Sequence, residues 1–455
     1  MLYAIILAFF AGLGFFMYEF VTESQKWAFS AVNRHLSENS IAGGKITDIN
    51  GLVLVQNVNG KRIYNEDENI RKAVLHTVGD GCVLIPTSIQ SRYSKELFGY
   101  NPVTGFGAPR ILNMNKNIKL TIDAHVCSDV SKSFKDYKGA AVAYNYLTGD
   151  VLCMVSLPTY DVYSRPSAQD LRDERYEGVY INRVVSSSFT PGSIFKIFTT
   201  AAALDFIPDV ESRVFNCDKI KIVDAEKVTC MNKHGNISLQ NAFSKSCDIV
   251  FGDIGIELGG SKMKLKMEEF GFNQPQYFDG MAVAQSEYEV KDVSRADLAW
   301  SAIGQYKDKV NPMHMLKLMG AIANHGECIE PKIVKECGYG SESLSSGKLQ
   351  KTHSDRLMRR DTADKIKEMM RYAVKNQYKD SLFGGIPMCA KTGTAEVGEG
   401  KLPHGWMVGF SYDKTFPIAF SVVVEHGDFG IKSAGPIASI LVKGLYREFK
   451  NNKYS

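Results

Sequence analysis

The alternation of apolar and polar positions divides the chain into unlike parts. Residues 2–18 (LYAIILAFFAGLGFFMY) carry no charge over seventeen positions. In a helix, at about 1.5 Å per residue, such a run extends roughly 25 Å, just short of the ~30 Å hydrocarbon core of a bilayer. Phe20 and Val21 continue it past Glu19. It has neither the basic leader nor the small-residue cleavage site of a secretory signal. The run therefore predicts a single membrane anchor over residues 1–22, with a buried core helix as the alternative. Lys26 and Arg34 follow it and no cation precedes it, so the distribution of positive charge does not place the remainder outside the membrane. No later stretch approaches eighteen apolar residues, and residues 23–455 read as water-soluble.

Residues 23–117 are rich in Gly, Asn and charged residues, with a short apolar stretch at 51–58 and turn signals at Asn50-Gly51, Asn59-Gly60 and Tyr100-Asn101-Pro102. They predict a small, mostly β domain suited to spacing or docking. From about residue 118 the texture changes. Apolar runs at 139–145 and 150–157 are joined by Tyr146-Leu147-Thr148-Gly149, a hairpin signature. Residues 192–207 predict an apolar helix led in by Pro191, and further helices are expected at 242–258, 312–324 and 434–449. Strands are expected at 405–412 and 416–425. Strands at both ends of the segment with helices between them predict an α+β domain over 118–455, whose sheet joins distant parts of the chain. No internal repeat or low-complexity tract is present.

Composition narrows the function classes. The 455 residues are 44% hydrophobic and 23% charged, an ordinary globular balance that excludes a disordered or collagen-like chain. A net charge of +4 is too small to imply nucleic-acid binding. The nine cysteines are too few for a disulfide scaffold, and no Cys-x-x-Cys pair signals a zinc ribbon or redox motif.

Three short motifs carry candidate chemistry. In Ser193-Ile194-Phe195-Lys196 the residues at i and i+3 share a helix face, which brings a lysine amine to a serine hydroxyl. The free N–H groups of a helix starting near Ser193 would face the reacting atom. A basic lysine must be neutral, through burial or a neighbouring cation. Ser261/Lys264, Ser345/Lys348 and Ser411/Lys414 repeat the spacing, and only Ser193 has Pro191-Gly192 before it and an apolar helix behind. A buried helix with a chance serine remains the bland alternative. Ser246-Cys247-Asp248 offers a second hydroxyl able to relay a proton, or simply a helix cap. Lys391-Thr392-Gly393-Thr394 reads as a short strand. Its interior glycine would let a ligand backbone approach, its edge could pair with a peptide, and its cation and hydroxyl suit a carboxylate.

Taken together, the order S-x-x-K, S-x-[ND], K-T-G at Ser193, Ser246 and Lys391 resembles the serine penicillin-recognising family, which includes penicillin-binding proteins and serine β-lactamases. The resemblance spans about 120–450 through AYNYLTGDVLCMVSLPTYD (143–161), NRVVSSSFTPGSIFKIFTTAAAL (182–204), LAWSAIGQ (298–305), NPMHMLKLMGAIANHG (311–326) and HGWMVGF (404–410). The apolar run and KITDINGLVLVQ (45–56) resemble class B penicillin-binding proteins, with Gly44, Ile46, Asp48, Asn50 and Gly51 matching and Gly43 and Ile49 replacing two arginines. No glycosyltransferase domain fits before residue 118. The resemblance implies a transpeptidase-like α+β fold, an antiparallel sheet flanked by helices, carried outside the cell membrane on a short pedestal (23–117) and one anchor.

It also implies roles. Ser193 attacks the carbonyl between the terminal D-alanines of a peptidoglycan stem peptide, and Lys196 takes its proton. The N–H groups of Ser193 and Thr394 form the oxyanion hole. Ser246 relays the proton, Lys391 keeps the site electropositive, and Thr392 and Thr394 bind the terminal carboxylate. An amine from a neighbouring strand resolves the acyl-enzyme. No metal or cofactor is required, β-lactams trap Ser193, and a SEDS-type glycosyltransferase is the expected partner. Two departures stand out: Asp248 where the family more often has Asn, and Tyr306 where glycine usually follows Ile-Gly-Gln. An anionic Asp248 would favour the charged form of Lys196. By the same resemblance, Cys217 and Cys230 bracket a segment where they could pair in an oxidising exterior. Cys247 reads as a packing residue, and His234 and His404 as structural. The rival functions are a β-lactamase, for which no E-x-x-L-N segment is found, a D,D-carboxypeptidase, a β-lactam sensor and a silent scaffold.

Overall fold

The structure is a computed structural model. It describes residues 2–28, 43–82, 84–98, 116–338, 354–398 and 400–451. The turn expected at Tyr100-Asn101-Pro102 and the Ser345/Lys348 pair lie outside the described residues.

Two five-stranded sheets are built from β1 (Ile46–Thr47), β2 (Val53–Val58), β3 (Lys61–Tyr64), β4 (Asn117–Leu120), β5 (Gly139–Asn145), β6 (Val151–Leu157), β7 (Val334–Gly338), β8 (Met388–Ala395), β9 (His404–Ser411) and β10 (Ile418–Val424). The helices that matter here are α1 (Leu2–Ala28), α2 (Ala124–Ser133), α3 (Lys196–Phe206), α4 (Leu239–Ser244), α5 (Asp248–Glu269), α6 (Arg295–Ala302), α7 (Pro312–Ala323), α8 (Arg360–Ala373) and α9 (Ala434–Lys450).

The central sheet runs β8–β9–β10–β5–β6, every pair antiparallel. Every residue of β5, β6 and β10 is buried, because helices cover both faces. α2 and α9 pack together on one face, and α7, backed by α3 and α8, on the other. The expected hairpin, the two C-terminal strands and the helices at 312–324 and 434–449 are present within a residue or two. β8 is longer than expected and forms an edge of the sheet.

The second sheet runs β7–β4–β1–β2–β3, so it joins N-terminal strands to a strand from beyond residue 330. The buried Asp48 ties it to the rest of the chain. Its carboxylate accepts the N–H groups of Asn50 (2.9 Å), Leu52 (2.8 Å) and Ala124 (3.2 Å). Asn50 in turn donates to Asp123, which caps α2 through the N–H of Val126. Ile49, in place of an arginine, sits in the core.

Three expectations need correction. The described residues of 23–117 are mixed rather than mostly β: short helices occupy Glu68–Ala73, Leu75–Val78, Ile89–Arg92 and Ser94–Phe98. Ile70 and Ala73, three residues apart, are the buried face of the first, and all four residues of Leu75–Val78 are buried. The helix expected at 242–258 is two helices, α4 and α5, broken at Lys245–Cys247. The helix expected from residue 192 opens as a 3-10 turn, Gly192–Phe195, before α3 begins. Among the described residues no helix is long and apolar enough to cross a membrane. On α1, Tyr3, Leu7, Phe9, Phe10 and Phe15 are exposed.

Candidate active site

Ser193 sits on the 3-10 turn, where side chains three apart eclipse. That places Lys196, the first residue of α3, directly below it. The fully buried Lys196 Nζ donates to Ser193 Oγ at 2.7 Å and to Asp248 Oδ1 at 2.7 Å. The turn is braced from beneath: Phe195 stacks on Tyr288 at 5.5 Å and meets Phe198 and Phe272 edge-on. Gly192 has φ +57°, and a Cβ there would stand 2.4 Å from the Thr394 carbonyl oxygen. The turn is therefore pressed flat against β8, and only glycine fits its backbone conformation and its space.

The second motif owes its shape to the helix break. The N–H groups of Ser246 and Cys247 return to the carbonyls of Phe243 and Ala242, the hydrogen-bond pattern of a Schellman cap. Ser246 fills the left-handed position, φ +54°, that a glycine normally takes. The chain thus accepts local strain to keep a hydroxyl at this point. Asp248 opens α5, where the positive end of the helix favours its carboxylate.

On β8, Lys391 is fully buried and donates to Ser246 Oγ, and to the Thr392 carbonyl at 3.0 Å. Burial, and then the charge of Lys196, push its ammonium well below the ordinary lysine range, against the opposing pull of Asp248. Thr392 and Thr394 turn their backbone to the open sheet edge. Tyr378 Oη meets the Thr392 N–H at 3.2 Å and its hydroxyl at 3.0 Å, and Gln305 Nε2 donates to the Thr394 carbonyl at 3.2 Å. Gly393 is needed for a close approach within the protein itself: a Cβ would lie 2.7 Å from the Pro191 carbonyl of the nucleophile turn.

All eight predicted site residues therefore converge on one junction of 3-10 turn, helix break and sheet edge. The two competing Ser-x-x-Lys pairs among the described residues do not form such a site: Ser261 and Lys264 are exposed on α5, and Ser411 donates to the Asp413 carbonyl. Tyr306 is half-buried under the Lys307 ammonium, 5.3 Å from its ring centroid. His404 packs edge-on against Phe189, and burial holds its imidazole down at about 4.

Sequence reading missed Tyr378 and the support beneath Thr190. A single π-helical turn, Val374–Tyr378, delivers Tyr378, and nothing in the residue pattern announces such a turn. Trp406 Nε1 donates to the Thr190 carbonyl at 2.9 Å and Lys309 Nζ to its hydroxyl at 2.8 Å, which holds the residues before Pro191. Gln305 ends the 298–305 stretch and was within reach of the sequence.

Behind Ser246-Cys247-Asp248 lies a cluster the sequence did not foreshadow. Cys217 and Cys230 are unpaired thiols rather than a disulfide. With Cys247 and His234 they form a group whose sulfur and nitrogen atoms all lie within 4.8 Å of one another. A hydrogen bond from the Cys247 thiol, together with the N–H groups of Asn232 and Asp248, holds the Cys230 thiol down at about 5 despite burial.

Residues 139–443 match the penicillin binding protein transpeptidase domain. The peptidoglycan D,D-transpeptidase PbpA of Mycolicibacterium smegmatis is 28% identical over 335 residues, 68% of this chain and 67% of that protein. PbpA of Mycobacterium tuberculosis is 28% identical over 320 residues, 66% of this chain and 64% of that one. The matches thus span about two thirds of the relatives' length. The structure of penicillin-binding protein A from M. tuberculosis as an imipenem acyl-enzyme complex is similar with a TM-score of 0.76 at 24% identity, covering 90% of this chain and 99% of that one.

Proposed function

Because the chain belongs to the penicillin-binding protein transpeptidase family, in its class B branch, we propose that it is a serine-type peptidoglycan D,D-transpeptidase inhibited by β-lactams. One observation carries the reading: Ser193 Oγ lies 2.7 Å from a buried lysine amine, while a second serine–lysine pair, Ser246 and Lys391, closes the same junction. Ser193 attacks the D-Ala-D-Ala carbonyl and Lys196 accepts its proton. Collapse of the tetrahedral intermediate expels D-alanine, and Ser246, hydrogen-bonded to Lys391, relays to its amine the proton that Lys196 took, so both side chains return to their starting forms. An acceptor amine then attacks the acyl-enzyme and restores the Ser193 hydroxyl. Donors aimed at the developing oxyanion, the N–H groups of Ser193 and Thr394 in this reading, are commonly the largest contribution in acyl transfer. Thr392 and Thr394 hold the terminal carboxylate, and the open edge of β8 offers a ladder for an extended peptide.

The substrate sets the location. Stem peptides are crosslinked outside the cytoplasm, so the catalytic part works there. We propose that α1, apolar and with exposed aromatic side chains, attaches the chain to the cell membrane, with residues 23–117 as its pedestal. A SEDS-type glycosyltransferase is the proposed partner, since a transpeptidase needs newly polymerised glycan.

The test is a full-length preparation given a stem-peptide donor and a D-amino-acid acceptor, with fluorescent penicillin in parallel. Crosslinked product and a stable adduct are expected, both absent in Ser193→Ala. Rapid drug turnover would make the protein a β-lactamase, and release of D-alanine without crosslinking a carboxypeptidase.

A further inference from the structure

Cys217 closes one two-stranded ribbon (Val214–Cys217 with Gly235–Ser238), and Cys230 follows a second (Ile220–Val223 with Glu226–Thr229). His234 lies between them, held by its N–H to the Cys217 carbonyl at 3.1 Å, and the Cys230 N–H returns to Lys219 at 2.8 Å. The third sulfur belongs to Cys247, the residue that caps α5. The spacing is Cys-x12-Cys-x3-His-x12-Cys.

We propose that these four residues form a closed zinc site that fixes the Ser246-Cys247-Asp248 corner of the active site. Zinc takes thiolates at about 2.3 Å and imidazole at about 2.0 Å in tetrahedral geometry, which sets donor–donor edges near 3.5–3.8 Å. Cys230 Sγ and His234 Nδ1 are already 3.7 Å apart, and all four donors fall within 4.8 Å of one another. A contraction of at most about one ångström at the widest pair completes the site. Three sulfurs and one imidazole are the donor set of a structural zinc with no open position. All three cysteines are buried, so water does not compete for the metal. Backbone N–H groups face the sulfurs, those of Asn232 and Asp248 at Cys230 and that of Val250 at Cys247. Such N–H groups neutralise charge and orient thiolate ligands. On binding, the three thiols release their protons and each sulfur gives a lone pair to the ion, with no change of oxidation state. A disulfide would use two of the three sulfurs and leave the third and the histidine without a task.

The consequence for catalysis is positional. Cys247 stands between Ser246, bonded to Lys391, and Asp248, bonded to Lys196. Ser246 already holds a left-handed conformation. A metal bond at Cys247 anchors that strained corner from behind. Pairing of Cys230 with another sulfur would release it.

The experiment is elemental analysis of the full-length protein purified with reductant and without chelator. One zinc per chain is expected, lost in Cys230→Ser and in His234→Ala but kept in His234→Cys, which preserves a four-donor set. Wild-type protein stripped by a chelator should take zinc back one to one, and its rate of acylation by penicillin should fall roughly tenfold and recover with the metal. Three results would overturn the site: a mass two hydrogens short with no zinc, a stripped folded chain that takes up no zinc at micromolar concentration, or zinc retained in Cys230→Ser. An acylation rate indifferent to the metal would overturn the positional role. Metal content is read independently of any reaction, so failure here leaves the transpeptidase reading untouched.

Discussion

Helix α3 and strand β8 each bring one fully buried lysine to the same junction, and the two differ in their company. Lys196 has a carboxylate, Asp248 at 2.7 Å, as well as the Ser193 hydroxyl. Lys391 has the Ser246 hydroxyl, the Thr392 carbonyl and the face of the Phe243 ring, 5.9 Å from its centroid, but no carboxylate in contact among the described residues, and burial with a like charge nearby presses it toward its neutral form against the pull of Asp248. Removing one member of a buried pair strands its partner, whereas removing a lone buried cation relieves a desolvation cost. Two residues of equal burial therefore have opposite energetic standing. One has a carboxylate partner that its removal would strand. The other is held against its preference by the position of the strand.

Substitutions that break this comparison should differ in size and sign. The largest effect is on chemistry. Lys196→Met should slow acylation by fluorescent penicillin by about a thousandfold, the range of a lost general base. The next is on stability. Lys196→Met leaves Asp248 without its cation and should destabilise by about 2 kcal/mol, less than a fully buried pair because Asp248 is partly exposed. Lys391→Met should be neutral or stabilise by about 1 kcal/mol, at about 1 °C of melting temperature per kcal/mol for a chain of this length. If both variants melt together, the two lysines are not energetically distinct. The smallest effect concerns the edge of β8. Tyr378→Phe removes the hydroxyl that meets Thr392 and should weaken peptide-donor binding about fivefold, one hydrogen bond's worth, with kcat little changed. A change in kcat alone would place Tyr378 nearer the chemistry.

Much of this was legible in the sequence, for physical reasons that vary along the chain. β5, β6 and β10 are buried on both faces, so their unbroken apolar runs announced them. Ser193 and Lys196 were readable because the turn that joins them is local. The junction itself was readable only through the resemblance, because Ser193, Ser246 and Lys391 meet by packing between distant segments. The break at Ser246 was hidden: Ala242 through Leu258 keeps a helix-like apolar pattern, and no glycine marks the left-handed residue. Short helices at 68–98 were obscured by charged residues on their outer faces. The cysteine–histidine cluster was invisible because the Cys230–His234 pair is separated by twelve residues from each of the other two ligands, across two ribbons and a helix cap, a spacing that only the fold interprets.

The most direct test of the contrast between the lysines is the rate of Ser193 acylation by fluorescent penicillin in wild-type protein and in Asp248→Asn. Asp248 Oδ1 accepts from the same Lys196 Nζ that donates to Ser193 Oγ, each at 2.7 Å, so the carboxylate is one bond removed from the nucleophile. Asparagine keeps an acceptor oxygen at this position without the charge. The rate should change by about fivefold or more in Asp248→Asn. An unaltered rate would show that Asp248 is not coupled to the base and would contradict the account.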